Sequence, residues 1–131
     1  MAFSSSPSTW IIDSGASNHM AASETSFSEI EECTRPPIHF GDDTPAQVCG
    51  KGIVDLEGGC FNDVLHVPLL YTNFLSLYQI THSGTGRRVE FTPESVTITD
   101  IKTGSEIAHG VADHHSRLYS FSQFIPKSVC T

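Results

Sequence analysis

Between residues 38 and 67 the chain repeats short apolar segments separated by turn-forming residues, and this pattern restricts the fold more than any other feature. Short apolar runs bounded by Gly, Pro and Asp are typical of strands joined into antiparallel hairpins. We therefore expect a mostly β fold in this part of the chain. The predicted strands are residues 38–40, 46–49, 53–56 and 61–67, and the predicted turns are residues 41–45, 50–52 and 58–59.

The rest of the chain extends the same fold class. Apolar and polar residues alternate in residues 88–92, 95–101, 106–109 and 117–124, which predicts further strands. Residues 75–80, ahead of Gly84, predict one short helix that this glycine caps. At 131 residues the chain has room for one domain. We expect a flexible leader (residues 1–9), a domain over residues 10–124 and a tail (residues 125–131), with a core at 10–83 and additional C-terminal strands at 84–124.

The charge balance excludes some ligands. Seven Lys and Arg against fifteen Asp and Glu give a net charge of −8, which repels phosphate backbones and anionic membranes. We therefore expect neither nucleic acid nor membrane as a partner. No apolar run approaches the ~20 residues that span a bilayer, and the first residues lack a signal-peptide pattern. These features predict a soluble, cytosolic protein.

The cysteines do not form a recognisable framework. The four cysteines lie apart, without a Cys-x-x-Cys pair, so we expect reduced thiols and no zinc ribbon. Asp113, His114 and His115 match no usual zinc spacing, and a polar loop is the favoured interpretation. We predict no metal. A metal-stabilised structural domain is the lowest-ranked alternative.

The strongest chemical signal is a carboxylate at the end of an apolar run. Trp10, Ile11 and Ile12 predict a buried strand, and Asp13-Ser14-Gly15 follows as a tight turn. This arrangement resembles the active-site loop of aspartic proteases, in which two adjacent carboxylates share one proton. Only one Asp-Ser-Gly occurs, so a dyad requires two chains related by a twofold axis. The motif alone also fits an ordinary turn.

Residues 10–80 resemble the protease of copia-type retrotransposon polyproteins. The resemblance rests on residues 10–20 (WIIDSGASNHM), on residues 50–54, and on residues 63–68 followed by 73–77. It implies a retropepsin-like closed β-barrel (the acid protease fold) with a single lobe per chain. It also implies a homodimeric aspartic endopeptidase without a cofactor that processes a Gag-Pol-type polyprotein in the cytoplasm or in retrotransposon virus-like particles. By the same resemblance, Asp13 is catalytic, and Ser14, Gly15 and Ala16 complete its loop.

The family also has a flap, a hairpin that closes over the peptide. We place it at residues 38–49. The tip, which would contact the substrate, consists of Gly41, Asp42, Asp43, Thr44 and Pro45. Its acidic residues predict discrimination against acidic side chains or stronger activity at low pH. An ordinary surface hairpin is the alternative interpretation.

A second retropepsin motif crosses behind the active-site loop. Phe74, Leu75 and Ser76 look like its counterpart, with Ser in place of Gly, and we expect them to support the loop by packing. The strands beyond residue 84 could build the dimer interface or belong to a downstream segment.

Several other features predict no function. His19 is assigned no role, because a lone loop histidine is more often solvated or bonded to backbone. Glu29, Glu31 and Glu32 are interpreted as a solvated acidic face. A competing hypothesis for the whole chain is a catalytically silent retropepsin-fold module that dimerises or binds peptides.

Overall fold

A computed structural model describes residues 9–39, 43–56, 59–84 and 86–123 of the chain. These residues form twelve β-strands, one α-helix and one 3-10 turn at Glu24–Ser26. The strands are β1 (Thr9–Asp13), β2 (Met20–Ala21), β3 (Glu29–Glu32), β4 (Ile38–His39), β5 (Pro45–Ala46), β6 (Gly50–Leu56), β7 (Gly59–His66), β8 (Asn73–Ser76), β9 (Arg87–Phe91), β10 (Ser95–Asp100), β11 (Glu106–Asp113) and β12 (Leu118–Ser122), and the helix is α1 (Leu77–Thr81). The predicted mostly β class with one short helix is confirmed.

Ten of these strands form one sheet, in the order β3-β6-β7-β2-β8-β1-β12-β11-β10-β9, while β4 and β5 pair separately. The first strand lies inside this sheet, parallel to β8 on one side and antiparallel to β12 on the other. Thr9, assigned to the leader from the sequence, begins this strand. The first and last described strands, β1 and β12, therefore lie side by side in the sheet.

The sheet curls around one main hydrophobic core. Side chains from β1, β6 and β7 pack with side chains from β10, β11 and β12 in a single cluster. Its members include Trp10, Val54, Leu56, Phe61, Val64, Val96, Ile98, Ala108 and Phe121. Residues from the predicted core segment and from the predicted additional strands thus share one interior.

The sheet has two edges, β3 and β9, and in the described residues no strand pairing joins them. Side chains bridge part of the gap, because the Arg87 guanidinium of β9 lies 5.0 Å from the centroid of the Phe61 ring in β7. Arg87 Nη2 also donates a hydrogen bond to the carbonyl oxygen of Cys60 at 3.0 Å. The sheet is therefore strongly curled, while the closed barrel expected from the resemblance is not formed by backbone hydrogen bonds.

Two local predictions were wrong. Residues 50–52 belong to β6 instead of a turn, and the glycines there allow β3 to approach closely. A Cβ atom on Gly52 would collide with the Glu29 carbonyl oxygen. The helix begins after Ser76 and its C-cap is His82, so Leu75 lies in β8 and Gly84 comes after the cap.

The thiols agree with the expectation as far as the chain is described. Cys33, Cys49 and Cys60 are free cysteines. The fourth, Cys130, lies outside the described residues. Hydrogen bonding to the Asp55 carboxylate, whose Oδ1 lies 2.9 Å from the Cys60 sulfur, is the largest cause of the raised pKa of the Cys60 thiol.

Candidate active site

Asp13 ends β1 and is half-buried at the start of a tight turn. The backbone N–H of Gly15 donates to Asp13 Oδ1 at 2.8 Å, and the Ala16 N–H donates to the Asp13 carbonyl oxygen at 3.3 Å. A Cβ atom on Gly15 would lie 3.3 Å from the same carboxylate oxygen. The glycine therefore lets the turn bend closely around the carboxylate, which a backbone donor holds in one orientation.

The predicted supporting segment lies directly beside this turn. Parallel pairing aligns Ile12 with Leu75 and Asp13 with Ser76. Leu75 is buried in the main core, so it fixes the supporting segment to the interior of the protein. Ser76 caps α1, because its hydroxyl accepts a hydrogen bond from the Gln79 N–H at 3.1 Å. The carboxylate is thus positioned by a strand that continues into a capped helix.

A cleft of about 280 Å³ opens beside Asp13. The strands β4 and β5 form a hairpin, in which Ile38 aligns with Ala46 and His39 with Pro45, and this hairpin contributes one wall. The cleft is lined by Asp13, Gly15, Ala16, Ser17, Asn18, Met20, Ile38, His39 and Phe74. The structure thus brings together the catalytic candidate, two residues of its loop, one residue of the supporting segment and the base of the predicted flap.

The predicted flap tip is only partly described. Gly41 and Asp42 lie outside the described residues. Asp43, Thr44 and Pro45 are exposed, and Asp43 has a positive φ of 64°, which a turn requires. These three residues are not among those that line the Asp13 cleft, whereas Ile38 and His39 at the base of the hairpin are.

Below the hairpin, a second hydrophobic cluster supports the cleft. Its buried members are Met20, Ala46, Val48, Leu65 and Val67, and Ala16, Ile38, Leu70 and Phe74 pack against them. Because Met20, Ile38 and Phe74 also line the cleft, part of its wall is apolar, and among the described lining residues Asp13 is the one carboxylate. Such walls suit apolar side chains of a ligand.

His19, which is assigned no role from the sequence, is completely buried and bonded to backbone rather than solvated. The ring Nδ1 of His19 accepts a hydrogen bond from the Ser76 N–H at 2.9 Å. The backbone N–H of His19 donates to Gln79 Oε1 at 2.9 Å. Its Nε2 has no hydrogen-bond partner in the described part of the chain, and its ring contacts Phe61 edge to face. Burial, and secondarily the charge of Arg87, lower the pKa of His19 to about 4. A neutral imidazole therefore accepts a hydrogen bond from β8, the strand beside Asp13.

Apart from His19, the features assigned no function lie on the surface. Asp113 Oδ1 accepts a hydrogen bond from the His115 N–H at 3.0 Å, which closes an exposed turn. Glu29–Glu32 forms an exposed strand at the edge of the sheet. In the described ranges, no three His, Cys, Asp or Glu side chains come together as a metal site would require, and no helix is long and apolar enough to cross a membrane.

Comparison with known proteins identifies the class. Residues 10–85 match the family described as Pol polyprotein, beta-barrel domain, and the chain belongs to this family. The match includes β1, the hairpin of β4 and β5, and β8, so it covers every element that lines the Asp13 cleft.

Two curated relatives agree with this assignment. The chain is 27% identical over 115 residues to the retrovirus-related Pol polyprotein from transposon RE1 of Arabidopsis thaliana, covering 80% of this chain and 7% of that protein. It is 26% identical over 106 residues to the corresponding polyprotein from transposon RE2 of the same plant, covering 77% of this chain and 7% of that protein. No solved structure matches the chain. The predicted retrotransposon Pol origin is confirmed, for a segment that spans about 7% of these relatives.

Proposed function

We propose that the chain is a retropepsin-like aspartic endopeptidase that is active as a homodimer. The observation that carries this proposal is the position of Asp13, on an Asp-Ser-Gly turn at the end of an interior strand, in a cleft walled by a hairpin. A backbone N–H holds the carboxylate, and the parallel neighbour β8 supports it from behind. These are the features that the resemblance to copia-type proteases implies for an acid protease fold.

A dimer would supply the second carboxylate that the reaction needs. Asp13 is the one carboxylate among the described residues that line the cleft, whereas aspartic protease chemistry needs two carboxylates that share a proton. A twofold axis near Asp13 would bring the same residue of a second chain beside it. The pair then titrates as a unit, with one member ionised and the other protonated.

The reaction follows from this pair. The ionised carboxylate takes a proton from water, and the water oxygen bonds to the peptide carbonyl carbon while the other carboxyl group protonates the carbonyl oxygen. The resulting diol collapses as the C–N bond breaks. The amine leaves with a proton from the dyad, so one water molecule is consumed per bond cleaved. This chemistry uses no metal or cofactor.

The substrate of this proposal is an extended polypeptide. The hairpin offers main-chain groups to an added strand, and the walls formed by Met20, Ile38 and Phe74 suit apolar side chains next to the cleaved bond. The relationship to retrotransposon Pol polyproteins makes a Gag-Pol-type precursor the natural substrate, processed in the cytoplasm or in virus-like particles.

A second candidate is a peptide-binding or dimerisation module without turnover. It is favoured by the one carboxylate that the described lining residues present in the cleft, because a lone carboxylate can bind a peptide without hydrolysing it. In this case, peptide affinity would persist while no peptide bond was cut.

Cleavage of a peptide library, followed by mass spectrometry between about pH 4 and 7, separates the two candidates. We expect the wild type to cut and Asp13→Asn to be inactive with an unchanged fold. Asp113→Asn is the matched control, because it makes the same substitution at the exposed end of β11 and should retain activity. Cleavage by Asp13→Asn would refute the catalytic role of Asp13, and peptide binding without cleavage would favour the module.

A further inference from the structure

We propose that a second cleft, next to the one that holds Asp13, binds an acidic side chain of the polypeptide substrate. This basic cleft has a volume of about 430 Å³. Its polar lining includes Ser17, Asn18, Arg35, Lys51, Asp63 and His82. The inference rests on the proposed function in one respect, namely that the ligand is an extended polypeptide lying in the Asp13 cleft.

Charge identifies the ligand class. The chain has only seven Lys and Arg and a net charge of −8, yet two of these cations, Arg35 and Lys51, line one cleft. Asp63 lies in the same lining, and Glu31 is aligned with Lys51 across the β3–β6 pair. Within the described residues neither Arg35 nor Lys51 forms an ion pair (N···O within 4.0 Å). Their nitrogen donors are therefore available to a carboxylate.

Two stacked rings form one wall of the basic cleft. The rings of Tyr78 and His82 stack with centroids 4.0 Å apart, and both side chains are exposed at the cleft. His82 Nδ1 lies 2.8 Å from the Tyr78 carbonyl oxygen, which can only accept a hydrogen bond, so Nδ1 carries the proton of the neutral ring. This hydrogen bond holds the imidazole ring at the wall of the basic cleft.

Position connects the two clefts. Ser17 and Asn18 follow the Asp13 turn directly and line both clefts. An extended polypeptide that leaves the Asp13 cleft across these two residues brings a later side chain to Arg35 and Lys51. All the lining residues described belong to one chain, so binding there does not require the dimer.

The basic cleft changes the expected specificity. The acidic flap tip predicts that an acidic side chain is disfavoured near the tip, whereas the basic cleft favours one at a different position along the peptide. A scan of the peptide with Glu at each position should therefore show one position at which Glu improves binding.

The test uses Asp13→Asn, so that binding is measured without cleavage. Extended apolar peptides carry either Glu or Gln at one position at a time, and fluorescence anisotropy gives the affinity of each at low and high salt. We expect Glu to bind about tenfold more tightly than Gln at one position, with a smaller difference at high salt. Arg35→Gln and Lys51→Gln should each reduce this preference.

Arg88→Gln is the control, because it removes one positive charge from an exposed position on β9 that lines neither cleft. It should leave the preference for Glu unchanged. Equal affinities for Glu and Gln at every position, a preference that survives both cleft variants, or no peptide binding by the folded protein would each overturn the proposal. The wild type tested on the same peptides keeps the two proposals distinct, since cleavage without a preference for Glu leaves the peptidase standing and refutes only the basic cleft.

Discussion

His19 connects the Asp13 loop to its neighbouring strand β8 through one neutral imidazole. It follows the loop in sequence, yet its acceptor Nδ1 serves Ser76, which is 57 positions away and aligned with Asp13. No local pattern in the sequence could reveal this contact, because it exists only after β1 and β8 have paired. Asp13 could be predicted, because an ionisable residue directly after an apolar run is visible in the sequence itself.

The buried imidazole should make the stability of the domain sensitive to acid. In the unfolded chain, His19 is protonated below its ordinary pKa of 6.5, whereas burial keeps it neutral in the fold until about pH 4. The unfolded state therefore binds more protons in this window, and the free energy of unfolding falls as pH decreases from 6.5 to 4. Between pH 7 and pH 5 we expect this one residue to cost about 2 kcal/mol.

Urea denaturation at both pH values checks this expectation. His19→Asn keeps an acceptor near the Nδ1 position and cannot be protonated, so its loss of stability between pH 7 and 5 should be smaller by about the same 2 kcal/mol. His114→Asn, which changes a histidine in an exposed turn, should lose as much stability between pH 7 and pH 5 as the wild type does. Equal losses in the wild type and in His19→Asn would contradict the assigned role of the imidazole.

At the scale of elements, several strands were predictable from the sequence, whereas β2, β3, β8 and the roles of the glycines were not. Residues 61–67 and 95–101 were predicted as strands and nearly coincide with β7 (Gly59–His66) and β10 (Ser95–Asp100). Gly50 and Gly52 were misread as a turn, because a glycine that allows close contact between strands looks the same in the sequence as one that allows a turn. Only the register of β3 against β6 distinguishes the two cases.

The substitution Gly52→Ala tests the close contact between β3 and β6. The added methyl group would collide with the Glu29 carbonyl oxygen and approach the Ile30 backbone, so β3 must shift away from β6. We expect a loss of roughly 1–3 kcal/mol in the free energy of unfolding, measured by urea denaturation. Lys51→Ala, on the same strand, removes side-chain atoms without adding any toward β3 and should cost less. A Gly52→Ala variant as stable as the wild type would mean that β3 does not pack this closely.

At the scale of the whole molecule, the C-terminal strands share the main core with the strands that precede them. The family match ends at residue 85, before β9 begins, but Val96, Ile98 and Phe121 share the main core with Trp10. The Trp10 indole N–H also donates to Gln123 Oε1 at 3.0 Å. From the sequence, these strands could equally belong to a downstream segment, because a long-range pairing such as that of β1 with β12 leaves no local signal.

Truncation tests whether the rest of the chain needs the C-terminal strands to fold. A chain that ends at residue 85 loses the β12 partner of β1 and exposes the remaining core, so we expect no cooperative thermal unfolding. The milder variant Phe121→Ala should fold with a loss of about 3–5 kcal/mol in urea denaturation, because it removes a buried ring. Cooperative folding of residues 1–85 would show that β9–β12 form a separate unit.

We propose that two Asp13 residues, one from each chain, make a single active site. Mixing wild type with Asp13→Asn at a fixed total concentration, high enough to keep the protein dimeric, tests this proposal. If chains exchange freely, a mixed dimer carries one Asp13 and is inactive, so peptide cleavage should fall with the square of the wild-type fraction. Cleavage that falls in direct proportion to the wild-type fraction would show that each chain acts alone and would contradict the shared site.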